Sequence, residues 1–484
     1  MVAWTKPHPE DAPVPRSHVA MALPTPLSPA IAKLHGFLAG RRNAPRVSDL
    51  EAFEGEMHAL FAAAECEALG QEIARLDVDV PEILIGGVPH RRVVRCEETY
   101  FGAAGPVRVM RSLYSTRQEG ERAVCPMELR GGMVEGRWTP LAARQAAWVV
   151  AHMTPQEGED LFAMLGGMAP SKSTLDRLPK QLSERWEADR ENFEKALRDG
   201  EAVPKEAASV AVSLDGVMVP MKDGKREEKR ASARAIGKGE RGPAGYQEVG
   251  CATLSVYDTE GERLHTIRLA RMPEPKKATV KNSLTDELAA VLEKRPDLKV
   301  VKLADGAKDN WEYLNEMSPP SPQVLDFFHA TEHMKSAVAA AYGENNPATN
   351  VQFEKLRLTL RDDQNGTEKV IRSLAHLRDR YPARRAIARE LRYFRRNRHR
   401  MRYAEMKAAN LPIGSGVMEA ACKTLATQRM KRSGMRWRQQ GGQAILTLRA
   451  LAQSDRFERA WRMLGETYKR KVGLPDNVVP LRAR

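Results

Sequence analysis

Two apolar runs in the middle of this chain each close on an aspartate, and few folds accommodate that pattern twice. Ser209-Val-Ala-Val-Ser-Leu-Asp215-Gly216 and Val300-Val-Lys-Leu-Ala-Asp305-Gly306 both read as buried strands. A sheet backbone holds a carboxylate at such a position rigidly. Asp215 is followed at once by further apolar residues, Val217, Met218 and Val219, so Asp215-Gly216 is more than a simple turn. A third acid, Glu419, lies in Ile413-Gly-Ser-Gly-Val-Met-Glu419-Ala-Ala-Cys-Lys423. Gly414-Ser415-Gly416 opens a helix there, whose first amides favour anions, and Ala420, Ala421 and Cys422 are small enough for close packing. Two rival readings stay open. Asp309 competes with Asp305, although it fits as the N-cap of the next helix with Glu312 completing a capping box. Glu419 can also pair with Lys423 at i+4 on a solvated face.

The elements around these acids have a clear order. Strands fit 208–220, 246–258 and 263–272, and an amphipathic helix fits 279–295 through Val280, Leu284, Leu288, Val291 and Leu292. A strand at 299–304, a helix at 309–317, a strand at 323–328 and a helix at 331–342 follow. This βββαβαβα succession predicts an α/β fold, a mixed sheet with helices on its faces, and it is compatible with the ribonuclease H-like order. The core is expected over 205–345 and 411–450, interrupted by a basic helical insertion over 346–410. An α+β region precedes it at 46–200, after a Pro-rich flexible leader at 1–45, and a helix and tail follow at 451–484. In the N-terminal region a helix fits 47–76, opened by a Ser48–Glu51 capping box, and a β-hairpin fits 90–115 around Gly102-Ala-Ala-Gly-Pro106. Thr154 and Pro155 start a helix that Gly166 and Gly167 end, and Ser171 opens another. Two helices around a glycine turn predict a helix-turn-helix near 155–180, with Ser171, Lys172, Ser173, Thr174 and Arg177 offered to DNA; an ordinary helix hairpin is the plainer alternative. The charged stretch 181–198 reads as a solvated connector.

Three carboxylates so placed can share divalent metal ions. Displacement at a phosphodiester needs an activated oxygen, a stabilised leaving oxygen and charge neutralisation at phosphorus, and two Mg²⁺ or Mn²⁺ ions supply all three. Mg²⁺ takes hard oxygen ligands and keeps positions for water and phosphate. Asp326 and His329 read as supports for the carboxylates; His329 and His333, at i and i+4, have no further soft ligand nearby for zinc. The net charge of +14 points to a polyanionic partner. It is concentrated: residues 351–484 hold 32 Lys and Arg against 12 Asp and Glu, 32 − 12 = +20, which leaves 14 − 20 = −6 for the rest. Leu391–Arg402 carries six arginines without an acid, among them Arg392, Arg395, Arg396, Arg398 and Arg400. Arg429, Lys431, Arg432 and Arg436 follow the Glu419 segment, and both runs read as phosphate contacts. Trp437 either stacks on an unpaired base or packs in the core. Five cysteines, an odd number without metal-ligand spacing, point to reduced thiols and a cytoplasmic protein. No apolar stretch approaches the length of a membrane span, and the opening residues do not read as a signal peptide.

With these motifs the chain resembles the ISKra group of bacterial insertion-sequence transposases. The resemblance is carried by Ser213-Leu-Asp-Gly-Val-Met-Val-Pro220, Ala304-Asp-Gly-Ala-Lys-Asp-Asn-Trp311, Asp326-Phe-Phe-His-Ala-Thr-Glu-His-Met334, Pro412–Leu425 and Thr424–Trp437, with Cys125–Met133 and Pro170–Pro179 in the N-terminal part. It spans roughly residues 90–450, and the Glu419 motif is its most specific portion. Asp326 and His329 also look like the Asp-x-x-His signature of Mutator-like relatives. The resemblance implies a DDE transposase with a ribonuclease H-like core, Asp215, Asp305 and Glu419 as its triad, and two Mg²⁺ or Mn²⁺ ions. It implies binding to the terminal inverted repeats of double-stranded DNA, strand cleavage and transfer into target DNA, and a homodimer or higher oligomer on that DNA. A transposase-derived regulator without catalysis, or a ribonuclease H-like nuclease or resolvase, is the alternative.

Overall fold

The computed structural model describes residues 28–43, 45–116, 122–222, 235 and 245–475. The Pro-rich stretch 1–27 of the expected leader lies outside them. The remainder of that leader includes a helix, α1 (Pro29–Gly40), which stacks Phe37 on Phe53 of α2 (Leu50–Arg75). The N-cap of α2 is Asp49, whose carboxylate accepts from Ala52 N, and not the expected Ser48. Strands β1 (Glu82–Ile85), β2 (Val88–Gly102) and β3 (Gly105–Ser115) form a meander whose β2–β3 pair closes between Gly102 and Gly105.

Helices α3 (Pro126–Gly131) to α7 follow, and the last four form the expected helical stretch. They are α4 (Pro140–His152), α5 (Pro155–Leu165), α6 (Lys172–Ala188) and α7 (Arg190–Asp199). Thr154 and Glu157 form a reciprocal capping box at the start of α5, and Ser171 caps α6. Gly166 and Gly167 both take positive φ, 74° and 85°, in the turn between them, which a side chain would disfavour. The segment expected to be a solvated connector is partly core. It breaks at Asp189, Trp186 stacks on Phe193 at 4.8 Å, and both rings are buried.

The second sheet holds the two aspartates. Its strands are β4 (Ser209–Pro220), β5 (Tyr246–Tyr257), β6 (Arg263–Arg271), β7 (Lys299–Ala304) and β8 (Gln323–Leu325), in the order β6-β5-β4-β7-β8. The β4–β5 and β5–β6 pairs are antiparallel; β4–β7 and β7–β8 are parallel. Helices α8 (Ala278–Lys294) and α9 (Lys308–Glu316) link β6 to β7 and β7 to β8, and α10 (Phe327–Tyr342) follows β8. The result is a mixed α/β architecture, compatible with the expected ribonuclease H-like order. Strand β8 is shorter than expected because Asp326 caps α10, which therefore begins four residues before the expected 331.

Helices α11 (Pro347–Asp362), α12 (Gly366–Arg380), α13 (Arg385–Asn397) and α14 (Tyr403–Ala408) occupy the insertion. Their apolar faces, with Leu360, Leu374, Ile387 and Phe394, share one core with the sheet residues Val212, Val301 and Val324. The chain then passes through α15 (Gly416–Ala421), a π turn (Cys422–Thr427), α16 (Gln439–Gln453) and α17 (Phe457–Glu466). Helix α17 returns to the N-terminal bundle, where Phe457, Ala460 and Leu464 pack with Val150, Leu178 and Trp186. A short strand, β9 (Val472–Gly473), pairs with β1. Among the described residues no helix is long and apolar enough to cross a membrane.

A buried ionic network ties these parts together. Arg456 forks onto Glu287 of α8 at 2.6 and 2.8 Å and reaches Glu201 at 2.8 Å. Burial by itself would raise the Glu201 carboxyl, but His265, Arg456 and Arg459 outweigh it and bring it down to about 2. A depressed carboxylate stabilises the fold fully above its unfolded value and loses that contribution as pH falls through its folded value. The urea midpoint is therefore expected to drop as pH is lowered from 4.5 to about 2, and Glu201→Gln should be less stable at neutral pH and show a shallower drop over the same window.

Candidate functional site

The parallel pairing of β4 with β7 builds the site. Its register runs from Ser209 opposite Lys299 to Ser213 opposite Leu303. Carried two residues further, the same register sets Asp215 across from Asp305. Asp215 senses its neighbour: burial is the main cause that raises the Asp215 carboxyl, the charge of Asp305 adds to it, and the Gly216 amide and Lys277 oppose it. Asp215 Oδ1 accepts from Gly216 N at 2.7 Å, and its Oδ2 accepts from Cys422 Sγ at 3.8 Å. A hydrogen bond with Cys251, then burial and the Asp215 charge, push the Cys422 thiol up and keep it protonated.

Asp305 is held from α9. Its Oδ1 accepts from Ala307 N and from Asn310 Nδ2, both at 3.1 Å, and its backbone carbonyl accepts from Trp311 Nε1 at 2.5 Å. Among the described residues no hydrogen bond falls on Asp305 Oδ2. Asp309 is not the N-cap of this helix: Ala307 is, and the Asp309 carboxylate instead takes Lys281 Nζ at 3.3 Å. Gly306 permits a close approach here, since a Cβ would lie 2.7 Å from the Tyr393 ring. Tyr393 comes from the insertion and stacks on His333 at 3.7 Å, while His333 Nδ1 meets the buried Glu390 at 2.5 Å. Burial, Asp305 and Asp326 push the Tyr393 phenol above its usual range.

Glu419 is exposed on α15, the helix that packs across β4 and β5. One turn later the same helical segment delivers Cys422 to Asp215. Among the described residues no three His, Cys, Asp or Glu side chains converge closely enough to hold a metal ion. The structure thus brings Asp215 and Asp305 together and leaves Glu419 on the adjoining helix. The donors nevertheless suit a hard divalent cation: both aspartates are oxygen ligands, one Asp305 oxygen accepts no hydrogen bond from the described residues, and Mg²⁺ is commonly held by one or two carboxylates together with substrate phosphates.

Asp326 orders this region without belonging to the pair. It is buried, accepts from His329 N at 2.5 Å as the cap of α10, and its second oxygen accepts from Ser415 N at the entrance to α15. His329 stands edge-on to His333, with ring centroids 4.9 Å apart.

The basic residues divide by environment. Ser171, Lys172, Ser173 and Arg177 are exposed at the start of α6, with Thr174 half-buried. Arg392, Arg395, Arg396 and Arg398 are exposed along and after α13, and Lys431 and Arg436 are exposed after α15. Arg400 is half-buried, with its guanidinium 4.0 Å over the Trp311 ring and Nε on Gln323. Arg432 forks onto Glu157 of α5 at 2.6 Å. Arg429, expected on a phosphate-binding surface, is only 2% exposed and lies over the Trp437 ring at 5.3 Å. Trp437 is half-buried and donates from Nε1 to Met430 O at 2.9 Å, so the core-packing alternative describes its surroundings.

No family model matches the sequence, and no curated protein matches it. Among solved structures the chain is similar to one described as the Drosophila P element transposase strand transfer complex, at 13% identity and a TM-score of 0.25, over 73% of this chain and 86% of that one. A similarity that low carries no weight for the site, which stands on its own geometry.

Sequence reasoning missed Asn310, Trp311 and Cys422 as partners of the carboxylates. The available signal was their location inside the two acid-bearing segments, but contacts across strands are invisible in sequence. Asp326→Ala removes both a helix cap and the acceptor for Ser415 N. It is expected to cost about 1–3 kcal/mol in denaturant unfolding and to speed hydrogen exchange at Ser415 and Gly416.

Proposed function

We propose that this chain is a DDE-type DNA transposase, with a ribonuclease H-like core, that binds the ends of its own element and catalyses strand cleavage and strand transfer at Asp215, Asp305 and Glu419. The observation that carries the reading is the juxtaposition of Asp215 and Asp305 by the β4–β7 register, beneath the helix that bears Glu419. The strand order β6-β5-β4-β7-β8, with two antiparallel and two parallel pairings, supports the ribonuclease H-like assignment.

Asp215, within β4, and Asp305, just past the end of β7, would hold Mg²⁺ or Mn²⁺, with Glu419 joining from α15 when DNA is bound. Such ions lower the pKa of a bound water or hydroxyl and stabilise the leaving oxygen. The protein's own part is to fix these ligands: the sheet holds Asp215, the first turn of α9 holds Asp305, and Asp326 pins the entrance to α15. The exposed arginines of α13 and the start of α6 supply surfaces for phosphates, α6 as the second helix of a helix-turn-helix. An assembly of two or more copies on DNA would bring two ends together.

Asp215→Asn, Asp305→Asn and Glu419→Gln should each reduce Mg²⁺-dependent cleavage of element-end DNA at least about a thousand-fold, equivalent to roughly 4 kcal/mol of transition-state stabilisation, with DNA affinity nearly unchanged. Undiminished cleavage in any one removes that residue from the triad. Cleavage by the wild type without joined products would identify a nuclease or resolvase, and binding without cleavage a regulator. Replacing Arg395, Arg396 and Arg398 together with Ala should weaken DNA binding and flatten log Kd against log salt by about 0.9 for each phosphate that is no longer neutralised.

A further inference from the structure

Asn310 occupies an unusual position for a neutral amide. It is 1% exposed, in the first turn of α9, and a single nitrogen serves two strands. Asn310 Nδ2 donates to Asp305 Oδ1 at 3.1 Å and to the backbone carbonyl of Leu214 at 3.1 Å. Leu214 directly precedes Asp215. An amide nitrogen has two hydrogens in a fixed plane, so one proton goes to the Asp305 carboxylate and the other to the backbone that carries Asp215. The side-chain oxygen, Asn310 Oδ1, has no hydrogen-bond partner among the described residues.

We propose that Asn310 is a positioning residue: its amide nitrogen sets the spacing between the middle of β4, which carries Asp215, and the end of β7, which Asp305 follows, and through it the affinity of the pair for a divalent cation. This rests on the reading of the two aspartates as metal ligands. The hydrogen bond to Asp305 Oδ1 also orients that carboxylate so that Oδ2 is the oxygen left for the cation. Groups that orient a ligand in this way typically contribute 10–100-fold in metal affinity. Trp311, the next residue, fixes the Asp305 backbone from the same turn, so the turn controls both ends of one ligand while Asn310 also reaches the other strand.

The test measures Mn²⁺ binding by the full chain, with the metal alone, using calorimetry or electron paramagnetic resonance of free Mn²⁺. Asn310→Leu keeps the branching of the side chain and removes both donors together with the orphaned oxygen. The expected result is Mn²⁺ affinity weakened by about 10–100-fold, a thermal midpoint close to wild type, and cleavage that recovers as Mn²⁺ is raised. Unchanged Mn²⁺ affinity would overturn the proposal, as would a loss of affinity that only follows a loss of folded protein. If leucine is not tolerated, Asn310→Ser serves the same comparison, since its shorter hydroxyl cannot reach both acceptors. Asp305→Asn separates the two levels of the argument. If that variant still binds Mn²⁺ as wild type does, the ligand assignment itself fails. If it loses binding and Asn310→Leu does not, only the role of Asn310 fails.

Discussion

The parallel hydrogen-bonded ladder between β4 and β7 is the constraint on which the rest of this structure depends. Five residue pairs, from Ser209–Lys299 to Ser213–Leu303, fix the register, and a slip of one residue would turn every side chain of a strand to the opposite face. Parallel strands need a crossover, and between these two the chain first adds β5 and β6 on one side, then returns through α8. Val210, Val212, Val301 and Leu303 are buried within the sheet core. That burial pins the register, and the register brings together two carboxylates that would otherwise repel. The raised Asp215 carboxyl, due first to burial and then to Asp305, is the electrostatic sign of that forced proximity.

Around this pair, several elements converge from distant parts of the chain. The first turn of α9 holds Asp305, the segment after α15 brings a protonated Cys422 to Asp215, and Tyr393 reaches from the insertion to lie on Gly306. Asp326 joins the end of β8 to the entrance of α15 through one carboxylate. The insertion is therefore part of the core in packing terms, although it interrupts it in sequence. The same holds for the C-terminal helices. Arg456 is buried between Glu287 and Glu201, and breaking such a pair leaves an uncompensated charge; this fastens the start of α17 to α8 and to the residues that follow α7.

The strands and most helices of the sheet domain were readable because their apolar periodicity is strong: expected strands at 208–220, 246–258 and 263–272 are observed at Ser209–Pro220, Tyr246–Tyr257 and Arg263–Arg271. The errors fall at element ends and on charged side chains. Asp49 took the cap expected of Ser48, and Asp309 gave up its expected cap for an ion pair with Lys281. Caps depend on local backbone geometry, which several neighbouring polar residues can satisfy. The stretch 181–198 looked solvated because its charges dominate its composition, yet Trp186 and Phe193 suffice to bury one face.

By itself the sequence determined the order of strands and helices, the two strand-borne aspartates, the helix that carries Glu419 and the basic character of the C-terminal third. These follow from periodicity and composition, which are local. Only the tertiary structure decided which groups meet: Asp215 with Asp305 and Cys422, Asn310 with both strands, Asp326 with Ser415. It likewise separated Arg429, enclosed over Trp437, from the arginines of α13 that remain in solvent. A charge in a sequence has no inside or outside until packing assigns it one, and a carboxylate has no partner until a register brings one within reach.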